Sequence, residues 1–235
     1  MTIGSQSCLA TALFFVAATL TQHVTAADSP PLKKGERIVF LGDSITQGGV
    51  GPQGYVTIVK KALAEKHADL GIEVIGAGIS GNKVPDLQKR LDRDVVARKP
   101  TLVVIYIGIN DVWHAEKEPA SGTTPETFAA GLKDVIGRCQ AAGARVVLCT
   151  PSVIGEKTDG SNGLDTQLDQ YSNISRSLAK ELDIPLCDLR KAFVDHLKQA
   201  NPDNKEKGIL TGDRVHLNAA GNQFVADTLL KTLDR

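Results

Sequence analysis

Three observations predict a doubly wound α/β fold, a parallel sheet with helices on both faces. Five short runs are apolar along their whole length rather than in alternation, as in strands buried on two sides. Amphipathic runs of helix length separate them. Small and polar residues gather just past the strand ends, where the reactive groups of such sheets collect.

The first strand is expected at 36–41 (ERIVFL) and breaks into Gly42-Asp43-Ser44, with glycines at 48, 49, 51 and 54. A helix over about 54–68 leads to a second strand at 72–76 (IEVIG), followed by Gly78-Ile79-Ser80-Gly81-Asn82. A helix over about 84–98 precedes the third strand, 101–107 (TLVVIYI), and then Gly108-Ile109-Asn110-Asp111. The next helix spans about 125–142, with Gly143 where it should stop. Strands at 145–150 (RVVLCT) and 184–188 (IPLCD) flank a helix over about 164–182. Helices over about 189–199 and 219–233 close the pattern, the last with Asn218 at its capping position.

A chain of 235 residues, 42% hydrophobic and 23% charged, suits one globular domain. Lys+Arg and Asp+Glu both number 27, so no basic excess points to nucleic acid or an anionic membrane. The N-terminus differs in kind. Leu9 to Leu20 is an uncharged apolar run of 12 residues, short of the roughly 20 that span a bilayer. Val24-Thr25-Ala26 and Ala27 follow, small residues suited to signal peptidase. We read residues 1–27 as a signal peptide, 28–35 as a linker and 36–235 as the folded domain of a secreted or periplasmic protein, with no stable membrane insertion once the signal is removed. A disordered or membrane-tethering N-terminus is the alternative. Cys8 leaves with the signal, and Cys139, Cys149 and Cys187 read as buried free thiols. None has zinc-binding spacing.

The strand-end residues have bland readings one by one. Ser44 suits a turn or a helix cap, Gly81 a turn, and Asn110 a loop that bonds its own backbone. Their order suggests chemistry instead. A serine hydroxyl becomes a nucleophile when a base takes its proton, and histidine is the usual base. Asp213-Arg214-Val215-His216 places an acid three residues before a histidine, where it can accept from Nδ1 and fix the tautomer. The N–H of Ser44, the N–H of Gly81 and the side-chain amide of Asn110 could stabilise an oxyanion. Asp43 and Asp111 are expected to shape loops by bonding backbone N–H groups. Trp113, the one tryptophan, and His114 read as loop residues beside Asn110, Trp113 either lining an acyl or sugar pocket or simply packing. His67 and His196 read as surface residues.

Gly42-Asp43-Ser44, Gly81, Asn110 and Asp213-x-x-His216 together resemble the four blocks of the SGNH hydrolase superfamily, the GDSL esterases and lipases. The match runs from about residue 36 to residue 226. The resemblance implies a flavodoxin-like three-layer α/β/α sandwich on five parallel strands. It implies Ser44 as nucleophile, Asp213 and His216 as the rest of a triad, Ser44, Gly81 and Asn110 as oxyanion donors, and no metal or organic cofactor. One departure is Gly76, where the family's second block often has Asn.

The resulting expectation is a secreted serine esterase for short acyl groups, acetyl in particular, on a small-molecule or carbohydrate substrate. Only 4% of residues are aromatic, little from which to build a lipid-binding surface. A lysophospholipase or thioesterase for longer chains is the nearest alternative, with 112–123 and 153–166 as pocket walls in either case. A non-catalytic carbohydrate-binding module has no need of the acid–histidine pair. A nucleotide-binding reading lacks the Gly-x-x-x-x-Gly-Lys-Ser/Thr pattern.

Overall fold

The computed structural model describes Met1 and residues 31–234. The segment expected as signal peptide lies outside the described residues, apart from Met1. Within the expected linker, Leu32 packs against the core and the Gly35 N–H donates to the Leu70 carbonyl at 2.6 Å.

The strands are β1 (Arg37–Gly42), β2 (Glu73–Gly78), β3 (Leu102–Tyr106), β4 (Arg145–Cys149) and β5 (Leu186–Cys187). The helices are α1 (Ser44–Gly49), α2 (Tyr55–Lys66), α3 (Val84–Asp94), α4 (Ile109–Lys117), α5 (Pro125–Ala141), α6 (Asp165–Glu181), α7 (Leu189–Ala200) and α8 (Ala219–Leu233). The five strands form one parallel sheet in the order β2-β1-β3-β4-β5. This is the expected three-layer α/β/α architecture.

Handedness explains the layers. From β1 the chain steps one way to β2, then reverses to β3, β4 and β5. Right-handed crossovers in opposite directions put α2 on one face and α3, α5 and α6 on the other. Contacts agree with this: α3 packs on α5 and α5 on α6, while α8 packs on α2 and α7. With both faces covered, Ile38 to Leu41 and Val103 to Ile105 are wholly buried. That burial is why these strands lack polar alternation.

The helix ends follow local chemistry. Asn218 accepts from the Gly221 N–H and caps α8, as its position implied. Gly143 ends α5 at a φ of +85°. Cys139, Cys149 and Cys187 are free and buried.

Several elements differ from expectation. The helix expected over 84–98 is α3 followed by a 3-10 turn at Val96–Arg98, and α2 likewise gives way to a turn at Ala68–Leu70. β2 runs on to Gly78, and β5 shrinks to two residues because Asp188 turns to cap α7. Two short helices, α1 and α4, were not expected. Both start at strand ends, and neither is long enough to show an apolar period. Trp113 and His114 therefore lie on α4 rather than on a loop. His67 and His196 are half-buried rather than surface residues. Nε2 of His67 lies 2.8 Å from Asp234, and His196 packs on Phe224 at 4.8 Å between rings, because α8 lies against both α2 and α7.

Candidate active site

The sheet register lines up the parts of the site. Gly42 pairs with Gly78 on one side and Tyr106 on the other, so three strands end in one row. The strand order reverses between β1 and β3, the place where such sheets open a crevice at their carboxyl edge. Ser44 follows the end of β1 by two residues and is the first residue of α1. Asp43 caps that helix, its carboxylate accepting from the Ile45 N–H at 2.9 Å. The cap forces the chain to turn at the strand end, which lifts Ser44 to the rim. Gly78 permits the neighbouring close approach, because a Cβ there would lie 2.1 Å from the Gln47 nitrogen.

Ser44, His216 and Asp213 come together. Ser44 Oγ lies 2.8 Å from Nε2 of His216, and Nδ1 of His216 lies 2.7 Å from Oδ2 of Asp213. A carboxylate only accepts, so Nδ1 carries the proton and Nε2 is free to take one from Ser44. The other Asp213 oxygen accepts from the backbone N–H groups of His216 at 2.7 Å and Val215 at 3.1 Å. Burial works to raise the Asp213 pKa. The hydrogen bonds from the His216 ring and these two N–H groups outweigh it and hold the carboxylate below its usual range.

The loop bearing this pair is tied down on both sides. Gly212 N–H donates to the His216 carbonyl, and Gly155 N–H to the Arg214 carbonyl, both at 2.8 Å. This second bond brings the expected 153–166 wall against the loop. Beneath it lies Glu156, fully buried. Its carboxylate accepts from Ile209 N–H, Leu210 N–H, Thr211 N–H and the Thr211 hydroxyl at 2.5–2.8 Å.

Gly81 and Asn110 lie just past the ends of β2 and β3. Gly81 has a φ of +77°, a conformation that favours glycine, and a Cβ there would meet no atom within 4 Å. The space beside its Cα is therefore open rather than packed. Asn110 is buried in the first turn of α4, and its Nδ2 donates to the Asn82 carbonyl at 3.1 Å. An amide nitrogen has two hydrogens, so one remains for a ligand oxygen.

Asp43 and Asp111 do bond backbone N–H groups, Asp111 accepting from Val84 at 3.1 Å. Burial pushes the Asp43 pKa up to about 7, with the charge of Asp111 adding to the rise. Burial likewise pushes Asp111 up to about 6. Trp113 stands beside the histidine, its ring edge-on to His216 at 6.2 Å, and its Nε1 donates to Glu116 at 3.1 Å. Glu116 and Glu206 also flank Arg214, at 3.7 and 3.1 Å. The rim on this side is thus aromatic and charged.

Sequence reasoning missed Glu156 and Arg90. Glu156 sits in a stretch without periodicity, so nothing marked it. Arg90 did leave a signal: a charged residue three places after Leu87 and beside Leu91, on the buried stripe of α3.

The arrangement can activate a hydroxyl, hold a histidine in one tautomer and offer hydrogen-bond donors to a developing negative oxygen. A model of the GDSL-like lipase/acylhydrolase family matches residues 40–224. An acetylxylan esterase of Geobacillus stearothermophilus is 33% identical over 214 residues, covering 85% of this chain and 94% of that protein. The crystal structure of the acetyl xylan esterase AlAXEase superposes with a TM-score of 0.80 at 46% identity, covering 83% of this chain and 98% of the other. The G. stearothermophilus enzyme Axe2 superposes with a TM-score of 0.77 at 31% identity, covering 87% of this chain and 96% of that one. Solved catalytic mutants of Axe2 replace a serine, an aspartate or a histidine by alanine.

Proposed function

Because the chain belongs to the GDSL-like lipase/acylhydrolase family and is a carboxylic ester hydrolase, we propose that it removes short acyl groups, acetyl above all, from carbohydrate, with Ser44 as nucleophile. The observation that carries this reading is the continuous hydrogen-bonded series from Ser44 through His216 to Asp213 at the open end of the sheet.

Ser44 Oγ attacks the ester carbonyl carbon while Nε2 of His216 takes its proton. Asp213 holds the ring in place and stabilises the imidazolium. The carbonyl oxygen becomes an oxyanion and rests on the Ser44 N–H, the Gly81 N–H and the amide of Asn110. The carbon–oxygen bond to the alcohol then breaks, and the alcohol leaves with the proton from His216. Water attacks the acyl-serine, His216 takes its proton in turn, and the acid departs as Ser44 regains its hydrogen.

Two features support a carbohydrate acetyl ester. Relatives that act on acetyl xylan cover nearly the whole domain. The rim beside His216 offers the Trp113 ring and charged Glu116, Arg214 and Glu206, which suits a hydroxylated sugar better than a long acyl chain. Export is part of the same proposal, since the polymer lies outside the cell and the N-terminal run has signal-peptide character. No helix among the described residues is long and apolar enough to cross a membrane.

The test is a rate series on p-nitrophenyl acetate, butyrate, octanoate and palmitate with residues 28–235, using Ser44→Ala as the blank, followed by acetate release from acetylated xylo-oligosaccharides. The proposal expects hydrolysis that depends on Ser44, falls with acyl length and extends to the oligosaccharide. A preference for octanoate or palmitate would overturn the acetyl reading. Equal rates for wild type and Ser44→Ala would remove Ser44 as nucleophile.

A further inference from the structure

Arg90 lies on α3, 6% exposed, and touches no part of the Ser44–His216–Asp213 series. Its guanidinium nevertheless meets two of the three segments that carry the proposed oxyanion donors and reaches the third through Asn82. Nη2 donates at 2.8 Å to the carbonyl of Gly42, the last residue of β1 and two before Ser44. Nη1 donates at 2.9 Å to the carbonyl of Ala77 near the end of β2. Nε donates at 2.6 Å to the side-chain oxygen of Asn82, the residue after Gly81. The Asn82 carbonyl in turn receives the Asn110 amide. Asp94, one turn along α3, holds Nη1 from behind at 3.1 Å.

We infer that Arg90 is the positioning residue of the oxyanion hole, a buried fork that sets the Ser44, Gly81 and Asn110 donors at one spacing. The chemistry of the side chain fits the task. Guanidinium is planar, and its five N–H groups diverge in a rigid fork. One side chain thereby bridges β1, β2 and the loop after β2, adding to the strand pairing and to the Ile79 N–H bond on the Gly42 carbonyl. A lysine ammonium is a single point on a flexible stem and cannot hold three acceptors at fixed directions. Preorganised donors act only when they already sit where the oxyanion forms. An error of about 1 Å in such a site costs on the order of 10²-fold in rate.

The inference rests on the esterase reading, and the experiment separates the two. Arg90→Met keeps the apolar stem and removes every donor, while Arg90→Lys keeps the charge and removes the fork. Reactive Ser44 is first counted with a phosphonylating ester, so that turnover is expressed per competent site. Loss of folded protein alone then leaves turnover per site unchanged. We expect Arg90→Met to lower kcat per site on p-nitrophenyl acetate by about 10²-fold with KM nearly unchanged. Affinity for a trifluoromethyl ketone, which forms a tetrahedral oxyanion on a serine, should fall in parallel with kcat/KM. Arg90→Lys, expected to fold even where the methionine variant does not, should show the same split. Wild-type turnover per site in Arg90→Lys, or ketone affinity that stays constant while kcat falls, would overturn the inference. Wild-type protein without Ser44-dependent hydrolysis would instead bring down the esterase reading, and this inference with it.

Discussion

Asn110 has two amide hydrogens, and the fold uses one of them on the Asn82 carbonyl. That bond anchors the amide and leaves the second hydrogen for the oxyanion in the reading proposed above. Asn110→Ala should therefore lower turnover on p-nitrophenyl acetate by about 10²–10³-fold while the protein stays folded. An unchanged kcat would take Asn110 out of the proposed oxyanion hole. At this scale the sequence was highly legible. Ser44, Gly81, Asn110, Asp213 and His216 are small or polar residues in places where a buried strand or a final helix would not need them, and their types match one chemistry. The part Arg90 plays was less legible. Its place on the buried stripe of α3 marked it, and Asp94 lies four residues on, but the Gly42 and Ala77 carbonyls and the Asn82 amide that it gathers are partners no sequence spacing identifies.

Elements decide how firmly those side chains are held. The α1 helix exists because Asp43 caps it, and α4 begins just after Gly108, whose φ of +123° lets the chain leave β3 sharply. Neither helix was legible, since a turn or two of helix carries too few residues to show a period. The segment before Asp213 is neither helix nor strand except for one bridge, Thr211 to Leu217. Its order comes from Glu156, whose carboxylate takes the place of a strand partner for three successive N–H groups. Glu156→Gln turns one acceptor oxygen into a donor facing those N–H groups. It should destabilise the fold by about 3 kcal/mol in urea unfolding, and it should reduce kcat because the Asp213–His216 loop loses its floor. Wild-type stability in this variant would mean that the loop is held by its other bonds.

Across the whole molecule, burying two carboxyl groups beside the site gives stability a pH dependence. The Asp43 pKa rises from 3.8 unfolded to about 7 folded, chiefly through burial, and Asp111 shifts the same way to about 6. Native protein thus holds protons that the unfolded chain has released. The stabilisation is complete below about pH 4 and is lost as pH climbs through about 7. Asp43→Asn keeps an oxygen to accept from Ile45 and cannot ionise. Relative to this variant, wild type should lose up to about 4 kcal/mol between about pH 4 and pH 8, roughly three pKa units at 1.36 kcal/mol each. Urea unfolding at the two pH values measures it, and an equal stability gap at both would show that Asp43 does not titrate in this window. By itself the sequence determined the layer architecture, because continuous apolar runs must be covered on both faces and intervening helices must do the covering. It also determined the chemical types waiting at the strand ends. Tertiary structure alone decided which carbonyls Arg90 would gather, which loop Glu156 would hold and how far burial would shift Asp43. The Arg90 bond to Gly42 and the Glu156 bonds to Ile209 and Thr211 join groups 48 to 55 residues apart in the chain, whose approach is set by sheet register and helix packing rather than by any local pattern.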